Sequence, residues 1–348
     1  MELFDSLRFK IVRRSIKIVF PEATDARILG AAARLKAEEL VEPILIGSEE
    51  EITAAAHARG IKTSSFTIID PNRYDKWDEM VEAFVERRNG KASKEQAESI
   101  LKDVNYFGTM LTYMGIADGM VSGAIHSTGD TVRPALQIIK TKPGVSRTSG
   151  AMIMVRGRDQ EKYVFSDCAI NVNPNAQELA EIAVESAKTA ELFDIDPKVA
   201  LMSFSTKGSA KAPEVDKVVE ATKIAKKLAP QYVIDGELQF DASYVPSVAQ
   251  LKAPDSDVAG QATVFVFPEL QSGNIGYKIA QRFGNFEAIG PILQGLNKPV
   301  SDLSRGANEE DVYKLHPTPP PPPRLLFFLV ALTLQTTKKK KKTKTTKQ

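Results

Sequence analysis

The chain has 348 residues, of which 43% are hydrophobic and 26% are charged, a composition typical of a soluble globular protein with room for two domains. Residues 316–348 carry eight Lys or Arg and no acidic residue, so the formal net charge of +2 becomes −6 for the rest of the chain. A mildly acidic body argues against nucleic acid as a partner.

The first part of the chain alternates short apolar runs with amphipathic patterns. This alternation is typical of parallel strands joined by helices. The strands are predicted at 17–21, 43–47, 66–69 and 119–123, and the helices at 25–39, 49–59, 75–88, 97–114 and 131–141.

A second series begins after the loop Lys142-Pro143-Gly144. Strands are predicted at 150–156, 162–170, 199–204, 232–234 and 262–267, and helices at 175–193, 215–228 and 276–283. We therefore predict an α/β protein with two domains, each a mainly parallel sheet flanked by helices in three layers. The first would comprise residues 1–142 and 290–315, with the segment around 291–293 returning to it, and the second residues 143–289. Ligands of such folds bind in a cleft at the carboxyl ends of the strands, here between the domains.

Residues 316–348 break this pattern with a proline run, an apolar run and a lysine run. The apolar run, 325–334, is well short of the roughly twenty residues that span a bilayer as a helix. We interpret the segment as a low-complexity, disordered tail without membrane contact; a membrane tether with a polybasic patch is the alternative.

Cysteine and histidine usage is sparse. The one cysteine, Cys168, cannot form an internal disulfide, and the amino terminus lacks the pattern of a signal peptide, so we expect a cytoplasmic protein. Cys168 lies in an apolar run and is expected to be buried. His57, His126 and His316 are too far apart in sequence to form a metal-ligand motif, so no metal site is predicted.

Several segments combine small, hydroxyl and basic residues at predicted strand-to-helix junctions. In 122–134, Ser127 and Thr128 precede Arg133 at a helix start, where free amides favour an anion. In 301–311, Ser304 and Arg305 precede Gly306 and Asp311; the guanidinium fork matches phosphate oxygens, and the carboxylate can hold a proton. Ordinary helix capping is the alternative for both segments.

Three further segments have the same character but weaker signals. They are 203–210, the stretch 270–278 that contains Ser272, Gly273, Asn274 and Lys278, and the basic helix end at Arg87-Arg88. Turn chemistry and a solvated helix terminus are the alternatives.

Taken in order, the segments GAIHSTGDTVRPALQIIKT, SDCAINVNP, DGELQFDA, FPELQSGNIGYK and SDLSRGANEED closely resemble the phosphate acetyltransferase family. The resemblance runs from about Lys17 to Leu315. It implies exchange of an acetyl group between coenzyme A and inorganic phosphate in acetate metabolism. It also implies a homodimer without metal or prosthetic group, with coenzyme A as a substrate bound in the cleft.

The resemblance also implies roles for individual residues. Ser304 and Arg305 would lie at the reacting centre, and Asp311 would take the thiol proton. Arg133 would bind phosphate or acetyl phosphate with Ser127 and Thr128, and a further arginine falls at Arg88, with the adjacent Arg87 as the alternative. Coenzyme A or phosphate would contact Ser272, Gly273, Asn274 and Lys278.

Other functions stay open at this point. A phosphate butyryltransferase would share the fold and the arginines, and a metal-dependent dehydrogenase can have a similar two-domain fold, although fold alone says little about function. A non-enzymatic binder attached to membranes by the tail is a third class.

Overall fold

A computed structural model of the chain describes residues 12–157 and 161–303, which fold as two compact units. The first contains residues 12–140 and 296–303, and the second contains 141–157 and 161–295. The predicted tail lies outside the described residues.

The first unit is built on a five-stranded parallel sheet. Its strands are β1 (Lys17–Phe20), β2 (Glu42–Ile46), β3 (Thr67–Ile69), β4 (Gly119–Ser122) and β11 (Val300–Asp302), in the spatial order β11-β4-β1-β2-β3. Its helices are α1 (Ala26–Ala37), α2 (Glu49–His57), α3 (Trp77–Arg88), α4 (Lys94–Ile100), α5 (Val104–Tyr113) and α6 (Thr128–Pro134), which continues as a π-helical turn, Ala135–Ile139. Ile18, Val19 and Phe20 are fully buried, as expected for a parallel strand covered on both faces.

The second unit is built on a six-stranded mixed sheet. Its strands are β5 (Ser149–Arg156), β6 (Glu161–Ser166), β7 (Lys198–Met202), β8 (Val233–Leu238), β9 (Val264–Val266) and β10 (Glu287–Gln294), in the order β10-β5-β6-β9-β7-β8. The pairs from β6 to β8 are parallel, and the pairs β10-β5 and β5-β6 are antiparallel. Its helices are α7 (Ala176–Leu192), α8 (Pro213–Leu228), α9 (Phe240–Tyr244), α10 (Pro246–Lys252) and α11 (Leu270–Phe283).

Three helices differ from their predictions for local reasons. The helix predicted at 97–114 is split into α4 and α5, because the Asp103 carboxylate accepts from the amides of Asn105 and Tyr106 and starts a new helix. The helix predicted at 131–141 begins earlier, after Ser127, and ends in the π-helical turn. The helix predicted from 276 begins at Leu270, because Glu269 caps it.

The segment 291–293 differs more. It was expected to return to the first domain, but it is the second half of β10, which pairs antiparallel with β5 in the second unit. The register shifts between Ile289 and Ile292, and this irregularity broke the strand pattern in the sequence. The chain re-enters the first unit only at Leu296.

The predicted α/β class, with two mainly parallel sheets flanked by helices, is confirmed. None of the helices within 12–157 and 161–303 combines the length and apolar content needed to cross a bilayer.

Candidate active site

Strands β4 and β11 end side by side in the first unit. Asp302 is the register partner of Ser122, and the Leu303 N–H donates to the Ser122 carbonyl oxygen over 2.7 Å. The segments containing Arg133 and Ser304 both leave the sheet from this point. Ser304, Arg305 and Asp311 themselves lie outside the described residues.

Gly123 follows β4 where the two strands are in contact. Its φ is +106°, and a Cβ there would clash with the Asp302 carboxylate and lie 2.6 Å from the Leu303 nitrogen. Only glycine combines this backbone angle with such a close approach. The chemical identity of residue 123 therefore fixes the spacing between the two predicted site segments.

Glu22 holds the chain that follows Gly123. Its side chain is fully buried. Its carboxylate accepts from the backbone amides of Ala124 at 2.7 Å, Ile125 at 2.8 Å and His126 at 2.8 Å, and its Oε1 lies 2.8 Å from His126 Nδ1. Four donors satisfy a carboxylate that would otherwise be costly to bury.

Arg27 holds the same loop from its carbonyl side. Its Nη2 donates to the Ala124 carbonyl oxygen over 2.7 Å, while the guanidinium is bonded to Asp25 at 2.8 and 3.0 Å. Partial burial opposes ionisation of Asp25, but the Arg27 bonds outweigh it and lower the pKa of that carboxyl.

Helix α6 begins with a capping box between Ser127 and Asp130. The Ser127 hydroxyl and the Ser127 amide both donate to Asp130 Oδ2, over 2.6 and 3.2 Å, and these bonds lower the pKa of Asp130. In return, the Ser127 hydroxyl oxygen accepts from the Asp130 amide. A Cβ on Gly129 would lie 3.6 Å from Ser127 Oγ and 3.8 Å from Arg133 Nη2. Arg133 lies in the last turn of α6, so its guanidinium reaches back to the first turn, near Gly129 and Ser127.

The two adjacent arginines at the end of α3 have different surroundings. Arg87 donates from Nε to the Ile138 carbonyl at 2.6 Å and from Nη2 to the Ile139 carbonyl at 3.0 Å, and its guanidinium carbon lies 5.0 Å from the Tyr113 ring centroid. Arg88 is half-buried, and its side chain makes no hydrogen bond or ion pair with another residue in the described part of the chain. Arg87 therefore supports the π-helical turn, while the Arg88 guanidinium has no such bond to the described part of the chain.

Arg88 and Arg133 act electrostatically on the same phenol. Burial raises the pKa of Tyr106, and the positive charges of Arg133 and Arg88 oppose that rise. The Tyr106 hydroxyl donates to Gln137 over 3.0 Å. Arg133 also makes no hydrogen bond or ion pair with any residue that the structure describes. Within the described residues neither arginine makes an ion pair with a carboxylate, so both guanidinium groups could contribute to an anion-binding region.

Further cations lie near Arg88. The pKa of Lys140 is lowered by desolvation and by the charges of Arg87, Lys91 and Arg88. The repulsion among these cations would be relieved by a bound anion.

The four predicted residues of the second unit lie in α11, and several have internal partners. Gly273 packs so closely on the Asp167 carbonyl that a Cβ would clash with it. Asn274 donates to the Cys168 carbonyl at 3.1 Å and accepts from Lys278 at 2.7 Å. Cys168 itself is buried, as expected. Ser272 differs from the other three because it also lines a cavity.

That cavity, of about 760 Å³, is lined by residues of the second unit at or after the ends of β6, β7, β8 and β9 and by residues of α8 and α11. Phe204 and Phe240, which are 60% and 48% exposed, supply apolar walls. Lys217 adds a cation whose Nζ donates to the Asn173 side chain and the Pro268 carbonyl, both at 2.9 Å, and whose pKa is lowered by burial. The cavity can take an apolar ligand with a polar group.

Buried carboxylates that organise loops were missed from the sequence. Glu22 is one; Asp167 accepts from the amides of Gly150 and residues 169–171, and Glu237 accepts from Ser205 Oγ and the Gly208 amide. All three come within or directly after an apolar strand, where an unpaired acid is rare. An acidic residue in or directly after an apolar run was therefore the signal in the sequence that could have identified these three carboxylates.

Comparison with known proteins agrees with this architecture. The model of the family described as "Phosphate acetyl/butaryl transferase" matches residues 3–316. The chain is 61% identical over 314 residues to the phosphate acetyltransferase of Bacillus subtilis, covering 90% of this chain and 97% of the relative.

Two solved structures are similar over most of the chain. A phosphotransacetylase from Streptococcus pyogenes has a TM-score of 0.90 at 62% identity, covering 96% of this chain and 98% of that one. A phosphotransacetylase from Staphylococcus aureus has a TM-score of 0.87 at 54% identity, covering 95% and 98%. The resemblance found in the sequence motifs is confirmed, and the chain belongs to the phosphate acetyl/butaryl transferase family.

Proposed function

We propose that this chain is a phosphate acetyltransferase, which transfers an acetyl group between coenzyme A and inorganic phosphate. The observation that carries the proposal is the pair Arg88 and Arg133, which make no hydrogen bond or ion pair within the described residues and act on the same phenol. Relatives named phosphate acetyltransferase at 61% and 58% identity support acetyl as the acyl group.

The proposed reaction is direct attack of the coenzyme A thiolate on the acetyl carbonyl of acetyl phosphate. A C–S bond forms, the C–O bond to phosphate breaks, and phosphate leaves with the electron pair. Arg133 and Arg88 hold the phosphoryl oxygens and stabilise the charge that develops on them. Holding both substrates together supplies the effective concentration, so no acetyl-enzyme is needed.

Proton removal from the thiol is the difficult step. A free aspartate with a pKa of about 3.9 and a thiol with a pKa of about 8.5 differ by roughly 6 kcal/mol in proton affinity. Asp311 alone is therefore a poor base. Arg305 and Ser304 would close the gap by stabilising the thiolate, and burial of Asp311 would raise its pKa.

We assign the cavity beside Phe204 and Phe240 to an apolar part of coenzyme A. Its walls suit a ring or an aliphatic chain, and Ser272 at its edge can bond a polar group. This leaves Gly273 and Asn274 with packing roles. Because coenzyme A and acetyl phosphate are metabolites of the cell interior, we expect the enzyme to act in the cytoplasm.

We further propose a homodimer formed through α11. Ile275, Ile279 and Phe283 are 56%, 52% and 88% exposed and follow one another at intervals of four residues, so they form one apolar stripe. A stripe on one helix can pack against its own copy about a two-fold axis. Burying a side chain of this size contributes about 1.5–3 kcal/mol.

A thioester assay with acetyl phosphate and coenzyme A tests the function. We expect the full chain to form acetyl-coenzyme A, and butyryl phosphate to be the poorer substrate. Arg305→Ala and Asp311→Asn should each lose more than about tenfold, or ~1.4 kcal/mol, in kcat/KM. Smaller losses in both variants would contradict the assignment, and a trapped acetyl group on Ser304 would favour a covalent route.

A further inference from the structure

Glu22 is 102 residues from the first amide that it binds, so its contacts are tertiary rather than local. It follows β1, and the loop that it holds follows the neighbouring strand β4. Three consecutive amides, 124–126, converge on its two carboxylate oxygens. Since the carboxylate is fully buried, water cannot replace it as the acceptor.

The loop fixed in this way leads directly into α6. His126 precedes Ser127, the cap residue, whose hydroxyl lies in the same first turn as the Arg133 guanidinium. A shift of the amides at 124–126 would therefore move the cap and displace Arg133 relative to Arg88. Displacements of about 1 Å in a substrate-positioning group are enough to reduce turnover by about a hundredfold.

From the opposite side, the bond of Arg27 to the Ala124 carbonyl prevents the loop from rotating about its attachment to Glu22. The Ala124 N–H is thus held by Glu22, which follows β1, and the Ala124 carbonyl oxygen is held by Arg27 of α1. Water at the surface could satisfy the Ala124 carbonyl oxygen. The bond from Arg27 therefore does more than satisfy that oxygen, because it also fixes the orientation of the peptide group.

We infer that Glu22 is a positioning residue for the acetyl phosphate site, which acts by orienting the loop that carries Ser127 and Arg133. The inference rests on the proposed function, because it takes Arg133 as a ligand of the phosphoryl group. Glu22 does not touch substrate in this role. Its effect should fall on acetyl phosphate and not on coenzyme A.

Glu22→Gln is the informative variant, because it keeps the shape and removes one acceptor oxygen. The amide nitrogen of Gln would face either the Ala124 N–H or the N–H groups of Ile125 and His126, donor against donor. Asp70→Asn is the control: Asp70 caps a short turn after β3 and accepts from the Asn72 amide over 2.9 Å, away from the loop.

The experiment measures kcat and both KM values for the full chain, with melting curves for each variant. For Glu22→Gln we expect the KM for acetyl phosphate to rise about tenfold or more, with the KM for coenzyme A within about twofold of wild type. His126→Ala, which keeps the backbone bonds, should give a smaller rise. Asp70→Asn should match wild type in both KM values.

Equal rises in both KM values, or a Glu22→Gln enzyme that matches Asp70→Asn, would overturn the inference. Should Glu22→Gln not fold, Glu22→Asp decides by the same readout, since it keeps the charge but shortens the reach by one methylene. A wild-type chain without acetyl transfer would instead refute the proposed function. An active wild type with an unaffected Glu22→Gln refutes only the positioning role.

Discussion

The Leu303 amide bonds to the Ser122 carbonyl across the carboxyl ends of β11 and β4. This bond joins two segments that are 181 residues apart in the sequence. One leads to Arg133 and the other to Ser304 and Arg305. This adjacency of β4 and β11 supports the proposal that the two segments contribute to one site.

The Gly123→Ala variant should have a lower free energy of unfolding than a variant with a glycine-to-alanine change at an uncrowded position. The new methyl group would be strained at φ +106° and would also clash with Asp302 and crowd Leu303. We expect the free energy of unfolding to fall by roughly 3 kcal/mol or more, combining strain and overpacking. Urea denaturation measures it.

Gly60→Ala is the matched control for that variant. Gly60 also has a positive φ, +69°, but no atom lies within 4 Å of its Cβ position. It should lose only about 1 kcal/mol, the cost of the backbone angle. Equal losses of unfolding free energy in the two variants would show that crowding against Asp302 and Leu303 adds nothing to the cost of Gly123→Ala.

Arg87 and Arg88 should separate stability from activity. Arg88→Ala should reduce kcat/KM for acetyl phosphate by about a hundredfold while leaving the melting temperature nearly unchanged, because the side chain has an anion to bind but no described protein partner. Arg87→Ala should instead destabilise the fold by about 1–3 kcal/mol, because the Ile138 and Ile139 carbonyls lose their donor. The reverse pattern would transfer the substrate role to Arg87.

The sequence could not decide between these two arginines. Adjacent residues on a helix point about 100° apart, and which of them faces the π-helical turn depends on how α3 packs. Glu22 was missed for a related reason, since its partners lie more than a hundred residues away. The strands β1 and β2 were predictable because their apolar runs end at proline, glycine or charged residues. β10 was not, because its irregularity at 289–292 interrupts the pattern.

Ser127, Thr128 and Arg133 were predicted from their chemistry beside a strand end. Ser127 caps α6 and Thr128 begins it, whereas Arg133, which was expected at the helix start, lies in its last turn and reaches back with its Nη2 toward Gly129. The same reasoning was less useful at Gly273 and Asn274. A glycine followed by an asparagine suggests a ligand loop, yet Glu269 caps a helix through this stretch and both residues pack internally. The cap is itself local, because the Glu269 carboxylate accepts from the amides of Gln271 and Ser272, and it starts the helix before the glycine can act as a loop residue.

Acid should remove a contribution of Asp25 to stability. Burial opposes the ionised form, but the bonds from Arg27 prevail and the folded pKa lies below the ordinary 3.8. The unfolded chain therefore binds the proton more readily, and the contribution is present above the unfolded pKa and lost as the pH falls through the folded one. Asp25→Asn should consequently lose less stability than wild type between pH 7 and pH 3, as measured by urea unfolding at each pH. Parallel losses would contradict the role of the Asp25–Arg27 pair.

Phe240→Ala should weaken coenzyme A binding if the cavity in the second unit holds an apolar part of that substrate. Phe240 is half exposed at the cavity wall and also packs on the rings of Phe265 and Tyr244, so its removal costs contact area with a ligand and some packing within the unit, which a melting curve would report separately. We expect the KM for coenzyme A to rise about tenfold and the KM for acetyl phosphate to stay constant. Steady-state kinetics with each substrate varied in turn would measure this, and an unchanged KM for coenzyme A would place its apolar part elsewhere.

Phe283→Asp should turn a dimer into a monomer. It places a charge at the end of the stripe formed with Ile275 and Ile279, and an unpaired charge cannot be buried between two copies without a large penalty. Leu251→Asp is the control, because Leu251 is 85% exposed and lies on α10. Light scattering after size-exclusion chromatography should give half the wild-type mass for Phe283→Asp and the wild-type mass for Leu251→Asp.

A dimeric Phe283→Asp, or a wild type that is already monomeric, would exclude α11 as the contact between subunits. Arg88 and Arg133, the proposed ligands of acetyl phosphate, lie in the first unit, whereas α11 lies in the second. The monomer should therefore keep the wild-type KM for acetyl phosphate, and this KM separates loss of assembly from loss of the site.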